Sequence, residues 1–193
     1  MIKLKNLFFL LCIGVVIFSC RTLRELRTLS KCEFRLYSIE NIRLADVTIT
    51  GKNGISDLDL RNTAKITKAF LMGEMPLHFI IMIEAMNPNI REAAINNLGY
   101  KIMLDDQEMA NGLLGERIVV PPDSGNAIIP VVVNMDLFEL AKNKSRGALL
   151  KLAFNLSDMG TEKSELTLLV KPTLMVGQKE IVYGKFIRLT RKY

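Results

Sequence analysis

Residues 77–112 read LHFIIMIEAMNPNIREAAINNLGYKIMLDDQEMANG, and the fold turns on this stretch. Leu77 to Met86 holds one His and one Glu among otherwise apolar side chains. That density belongs to a strand covered on both faces, or to a buried strand of a two-layer β protein. Asn87-Pro88-Asn89 stops it. Pro88 pre-sets φ for a turn, brings no N–H to a ladder and pushes Asn87 out of the helical region. A second run then alternates, with Leu98, Tyr100, Ile102 and Leu104 on one side and Asn97, Lys101 and Asp105 on the other. Period two means a strand with one wet face. Asp105-Asp106-Gln107 turns the chain into residues 108–112, and three consecutive antiparallel strands are the simplest account.

Working outward, residues 34–50 (FRLYSIENIRLADVTIT) alternate at Phe34 and Leu36, then shift to Ile39, Ile42 and Leu44. This predicts two strand segments, or one long strand bulged near residues 38–41. Gly51-Lys52-Asn53-Gly54 is a turn, and Ser56 is placed to cap a helix with a stripe of Leu60, Ala64, Thr67 and Phe70 or Leu71. Gly73 ends that helix and Pro76 blocks its continuation. Beyond Gly112, residues 117–120 lead to a firm turn at Pro121-Pro122-Asp123-Ser124-Gly125. Residues 127–133 are apolar on both parities, the pattern of an inner strand, while Pro130 within them indicates an edge or a bulge. Asp136 followed by Glu139 resembles a capping box opening a helix through Lys144, broken near residues 145–147 and resumed over 149–154. Residues 165–176 and 180–190 are two long strands joined by a hairpin at Gly177-Gln178. The reading is mainly β and antiparallel, with one or two accessory helices.

An apolar strand ending in Asn87-Pro88-Asn89, a tyrosine-containing strand, an acidic turn and the small-residue segment Met109-Ala110-Asn111-Gly112 resemble the late-embryogenesis-abundant (LEA) type 2 family, with its water-stress and hypersensitive-response (WHy) domain. The similarity spans roughly residues 39–133. It implies a fibronectin/immunoglobulin-like sandwich and a non-enzymatic role in stress tolerance or binding. For the family-motif residues Asn87, Pro88 and Asn89, turn chemistry is a sufficient account.

The N-terminus speaks to compartment. Lys3 and Lys5 precede Leu7 to Phe18, twelve residues without charge. This is the n-region and h-region of a secretory signal, too short for a comfortable membrane span. It ends in Ile17-Phe18-Ser19-Cys20, which resembles the bacterial lipobox, although Phe18 departs from the small or modest aliphatic residue usual there. The resemblance implies that Cys20 is the lipidated first residue of a mature protein facing the periplasm from the cell envelope. The alternative is an uncleaved signal anchor. Residues 1–19 are thus expected to be a lipoprotein signal peptide, 20–33 a lipidated N-terminus and tether, and 34–193 the LEA type 2-like domain. In the tether, Arg21, Arg24 and Arg27 with Leu23, Leu26 and Leu29 suit a short helix or linker lying on anionic headgroups, or a plain spacer.

Composition sets the remaining bounds. A chain of 193 residues, 49% hydrophobic and 24% charged, has room for a real core and is not a disordered polyampholyte. Its net charge is +6, and losing Lys3 and Lys5 with the leader leaves +4. That excess suits anionic lipid; without tryptophan or basic–aromatic interleaving it does not argue for nucleic acid. Of three cysteines, Cys12 leaves with the leader and Cys20 takes the lipid. Cys32 remains, unable to form an internal disulfide and best read as a small core hydrophobe.

Catalytic constellations are sparse. The one histidine, His78, has no second histidine to share a metal, and no nucleophile elbow or phosphate-binding glycine loop occurs. Asp105 and Asp106 stand in a hairpin tip, where solvation is the default. No metal, cofactor or enzymatic activity is expected. Met72, Met75, Met82, Met86, Met103 and Met109 fill a core or line an adaptable apolar groove. The expected partners are membrane lipid through Cys20 and either an envelope protein or an apolar ligand. Two functions are in play: a stress-related envelope lipoprotein acting by surface contact, and a structural adaptor pairing through a sheet edge.

Overall fold

A computed structural model describes residues 28–49, 58–104, 107–140, 165–176 and 179–192. In chain order these form β1 (Glu33–Leu44), β2 (Val47–Thr48), α1 (Leu60–Met72), β3 (Pro76–Asn87), β4 (Ala93–Ile95), β5 (Asn97–Leu104), β6 (Gln107–Leu114), β7 (Ile118–Val120), β8 (Gly125–Asp136), the helical turn α2 (Leu137–Leu140), β9 (Glu165–Val176), β10 (Lys179–Val182) and β11 (Ile187–Lys192). One sheet runs β2-β1-β3-β8 and a second β10-β9-β5-β6, with β11 also on β9; β4 and β7 make a small third sheet. Every pairing is antiparallel. Leu44, Phe79, Ile81, Ile83, Ile129 and Val131 from the first sheet share one core with Leu98, Ile102, Leu166, Leu168, Val170 and Leu189 from the second. The protein is a mainly-β antiparallel sandwich.

β3 is central because its odd-numbered face is apolar throughout. Leu77, Phe79, Ile81, Ile83 and Ala85 are all within 1% of full burial, and each large side chain there is worth about 2 kcal/mol against exposure. Its other face is half-covered at His78, Ile80 and Met82. Flanking β1 and β8 match its 12-residue length. β3 does not pair with β5, so the expected run of three consecutive antiparallel strands is replaced by a crossing between sheets after Asn87. Alternation states which face a strand buries but not which strand lies beside it.

Prolines account for two irregularities. Pro130 lies on β8, which pairs with β3 at Met82↔Pro130 and forms one edge of its sheet among the described residues. Ile128 and Val132 there are 46% and 50% exposed, so β8 is the edge strand that Pro130 indicated and not an inner strand. Pro172 sits inside β9, paired with Leu98 on one side. On its other side β10 stops at Val182↔Thr173 and β11 begins at Ile187↔Val170. The strand expected over 180–190 is therefore split where Pro172 has no N–H to offer, and Tyr183 N donates to the Pro172 carbonyl at 2.9 Å within the break.

β1 is one long strand with register shifts at Leu36/Ser38 and Glu40/Arg43 and Asn41 at φ 54°. It turns into β2 through Ala45 and Asp46, both at positive φ as a two-residue hairpin requires. α1 is capped by Asp59, whose side chain accepts from Asn62 N at 2.7 Å, and not by Ser56, which lies outside the described residues. Its inward side is Ile66, Ala69 and Phe70; Leu60, Ala64, Thr67 and Leu71 are exposed, correcting the expected stripe. Phe70 meets Phe138 with ring centroids 5.5 Å apart. Asp136 does open a helical turn: its Oδ1 accepts from Phe138 N at 2.7 Å, and its Oδ2 from Met75 N at 3.0 Å. The expected continuation over 141–154 lies outside the described residues.

On the outer face of the first sheet, Glu84 is only 9% exposed and joins three strands, accepting from Arg35 of β1 and, at 3.0 Å, from Asn126 Nδ2 of β8. Those donors, Arg35 first, hold its carboxyl below the ordinary value of 4.5. The pair's contribution to stability is therefore full above that value and lost as pH falls through the lowered folded-state value. Urea denaturation from pH 6 downward should show this loss in the native chain and a flatter acid limb in Glu84→Gln; identical slopes would remove Glu84 from the account.

Candidate functional site

The Asn87-Pro88-Asn89 turn is built around a fully buried amide. Asn87 has no exposed surface. Its Nδ2 donates to the Arg91 carbonyl at 2.8 Å and to the Val120 carbonyl at 3.1 Å. Its Oδ1 accepts from Asn89 N at 3.1 Å and Asn89 Nδ2 at 2.7 Å. Two donors and two acceptors exhaust what an asparagine side chain offers, so its burial leaves no polar group unsatisfied. Asn89 Nδ2 also reaches the Thr28 carbonyl at 3.0 Å, which fastens the N-terminal lead-in of the domain to this turn.

A second turn interlocks with the first. Ser124 N donates to the Asn87 carbonyl and Asp123 N to the Asn89 carbonyl, each at 2.8 Å. Asp123 and Ser124 both have positive φ, at 55° and 63°, and Gly125 N closes the turn on the Pro122 carbonyl at 2.9 Å. Gly125 has no room for a side chain: a Cβ would lie 2.7 Å from Pro121 Cβ and 2.9 Å from the Pro122 oxygen. Together the turns hold the ends of β3, β7 and β8 at one end of the sandwich.

At that end a shallow cleft of about 320 Å³ is lined by Thr28, Lys31, Pro88, Asn89, Ile90 and Arg91. Ile90 is 84% exposed, and Lys31 and Arg91 are exposed beside it. The cleft offers cations and an apolar tip, without a set of groups arranged for proton transfer or nucleophilic attack. Among the described residues no three His, Cys, Asp or Glu side chains gather to hold a metal ion. Nor is any described helix long and apolar enough to cross a membrane.

Cys12, Cys20, Asp105 and Asp106 lie outside the described residues. His78 is a half-buried strand residue whose Nδ1 meets Asn134 Oδ1 at 2.5 Å across β3 and β8. Cys32 is half-buried against the core, its Sγ 3.5 Å from the Thr28 carbonyl, and burial pushes the thiol up to about 11, so it is neither ionised nor nucleophilic near neutral pH. Leu29, read as a tether leucine, is 2% exposed and packs in the core. Of the methionines, Met75 and Met109 are buried, whereas Met72 and Met86 are 62% and 37% exposed. Tyr100 stands opposite Gly112 on β5 and β6, and a Cβ at Gly112 would overlap the tyrosine ring. Sequence reasoning identifies the turn residues but not their partners Thr28, Val120, Asp123 and Ser124. The two positive-φ positions before Gly125 are the available signal, as a Pro-Asp-Ser-Gly turn.

No family model matches the chain, and no curated protein matches it. Among solved structures, it is similar to a protein from Archaeoglobus fulgidus, with 13% identity, 61% of this chain and 84% of that one covered, and a TM-score of 0.36. A protein described as a candidate LEA protein is 10% identical over 98% of this chain and 84% of its own, with a TM-score of 0.40. One from Arabidopsis thaliana is 13% identical over 61% and 69%, with a TM-score of 0.39.

Asn87→Ala strands the buried Val120 carbonyl, the part-buried Arg91 carbonyl and the Asn89 amide and should cost about 3 kcal/mol in urea unfolding, against about 1 kcal/mol for Pro88→Ala, which changes mainly the unfolded chain. An unchanged melting temperature in Asn87→Ala would show that the network is not structural. Gly125→Ala should cost about 2 kcal/mol, because its added methyl meets backbone and a proline ring rather than a flexible side chain.

Proposed function

We propose that this chain is a membrane-anchored, non-enzymatic lipoprotein of the bacterial cell envelope, facing the periplasm, whose LEA type 2/WHy-like sandwich binds or protects envelope components by surface contact, with a role in stress tolerance. The observation that carries the anchoring is the N-terminal series: Lys3 and Lys5, an uncharged run from Leu7 to Phe18, then Ser19-Cys20. A diacylglycerol thioether buries two acyl chains, and at about 0.8 kcal/mol per CH₂ such an anchor does not dissociate on a cellular timescale.

The binding or protecting role draws on the family resemblance around Asn87-Pro88-Asn89 and on the exposed cations and Ile90 beside that turn. Edge pairing through β8 is the weaker reading. Pro130 removes one N–H from the row β8 would present to a partner strand, a common way of blunting an edge.

Mass spectrometry of the native N-terminus should find a diacyl or triacyl adduct on Cys20, and Cys20→Ala should move the protein out of the membrane fraction or leave its leader attached. A wild-type chain that retains residues 1–19 would replace the lipid anchor with a signal anchor. Unchanged survival of a deletion strain after drying or osmotic shock would remove the stress role while leaving the anchoring intact.

A further inference from the structure

We propose that the Asn87-Pro88-Asn89 end is the face this protein lays on an anionic phospholipid surface, with Ile90 inserted at the headgroup boundary and Lys31 and Arg91 on the lipid phosphates. The orientation rests on the lipid anchor at Cys20, and the contact itself on the geometry of the turn. Cys20 precedes Thr28 by eight residues. Fully extended, that length of chain reaches about 28 Å, less than the roughly 40 Å that a 12-residue strand such as β3 spans. Thr28 is bonded to Asn89, so the domain cannot stand upright with this turn as its membrane-distal end.

The surface presented there has the composition of an interfacial contact. Ile90 is the second most exposed large hydrophobic side chain among the described residues, yet it stands on a turn pinned by the Asn87 and Asn89 hydrogen bonds and by Asp123 and Ser124. A rigidly held apolar tip costs little ordering entropy on insertion. Lys31 and Arg91 line the cleft beside it, and neither side chain forms an ion pair among the described residues. Long cationic side chains next to an apolar tip reach phosphate while their stems lie against acyl chain. Glu33, Glu92 and Asp123 lie at or near this end and temper the attraction, which makes the contact depend on the density of anionic lipid.

The chain contains no tryptophan, so a single Ile90→Trp substitution introduces an unambiguous fluorescent reporter at a position that does not pack in the core. Leu71→Trp, at a position 79% exposed on α1 near the start of β3, is the matched reporter at the opposite end. In vesicles containing phosphatidylglycerol, full-length lipidated I90W protein should show blue-shifted emission that brominated lipid quenches, while L71W protein keeps its aqueous emission. Phosphatidylcholine vesicles, raised salt, or Lys31→Ala with Arg91→Ala should weaken the I90W shift, each basic residue counting for roughly fivefold in partitioning. Aqueous emission from I90W protein that floats with the vesicles and carries lipid on Cys20 overturns the contact and leaves the anchor standing. If mass spectrometry instead shows Cys20 unmodified, the anchor reading falls, and the I90W shift still decides the contact alone: its presence sustains the lipid face, its absence ends it.

Discussion

The arrangement depends on one buried side-chain amide. Asn87 ends β3, whose inner face from Leu77 to Ala85 is apolar and buried throughout, at the point where the chain leaves one sheet for the other. A bare turn there would leave the buried Val120 carbonyl and the part-buried Arg91 carbonyl and Asn89 amide without partners. Asn87 meets all three, and its own carbonyl takes Ser124 N. In a low-dielectric setting such a group is costly when half-satisfied and position-defining when fully satisfied. The crossing from β3 toward β5, the closing of β7 onto β8 and the seating of Thr28 are therefore one construction.

Around this fixed end, the sheets are limited by where the backbone runs out of donors. Pro76 opens β3, Pro130 lies on the outer strand β8, and Pro172 splits the partner of β9 into β10 and β11. The break also carries a contact of its own, Lys171 Nζ lying 5.2 Å from the centre of the Phe186 ring. Glu84 does the converse on the outer face of the first sheet, tying β1, β3 and β8 together where a nearly buried carboxylate would otherwise lack partners.

These features give the functional reading its form. Rigidity, exposed cations and an apolar tip occur together at one end, the end to which the N-terminal segment is attached. The proposed lipid at Cys20 and the proposed contact surface beside Thr28 would be complementary: the first would supply residence at the membrane, the second orientation. Neither requires a converging set of catalytic groups.

Much of this was written locally. Period-two alternation announced β5, the density of Leu77 to Met86 announced β3, and Pro88 and the Pro121–Gly125 segment announced the turns, because each depends on a few adjacent residues. The expectation of a secretory leader over the first twenty residues likewise rests on composition alone. Tertiary structure decided what depends on distant partners. It set β3 between β1 and β8 rather than beside β5, chose Ile66, Ala69 and Phe70 over Leu60 and Leu71 as the inner side of α1, and drew Leu29 out of the tether into the core. It also supplied Asn87 with Val120, 33 residues away, and Asn89 with Thr28, 61 residues away. An asparagine in a turn declares its capacity for four hydrogen bonds; which groups fill it is settled only when two sheets close around it and leave those carbonyls without water.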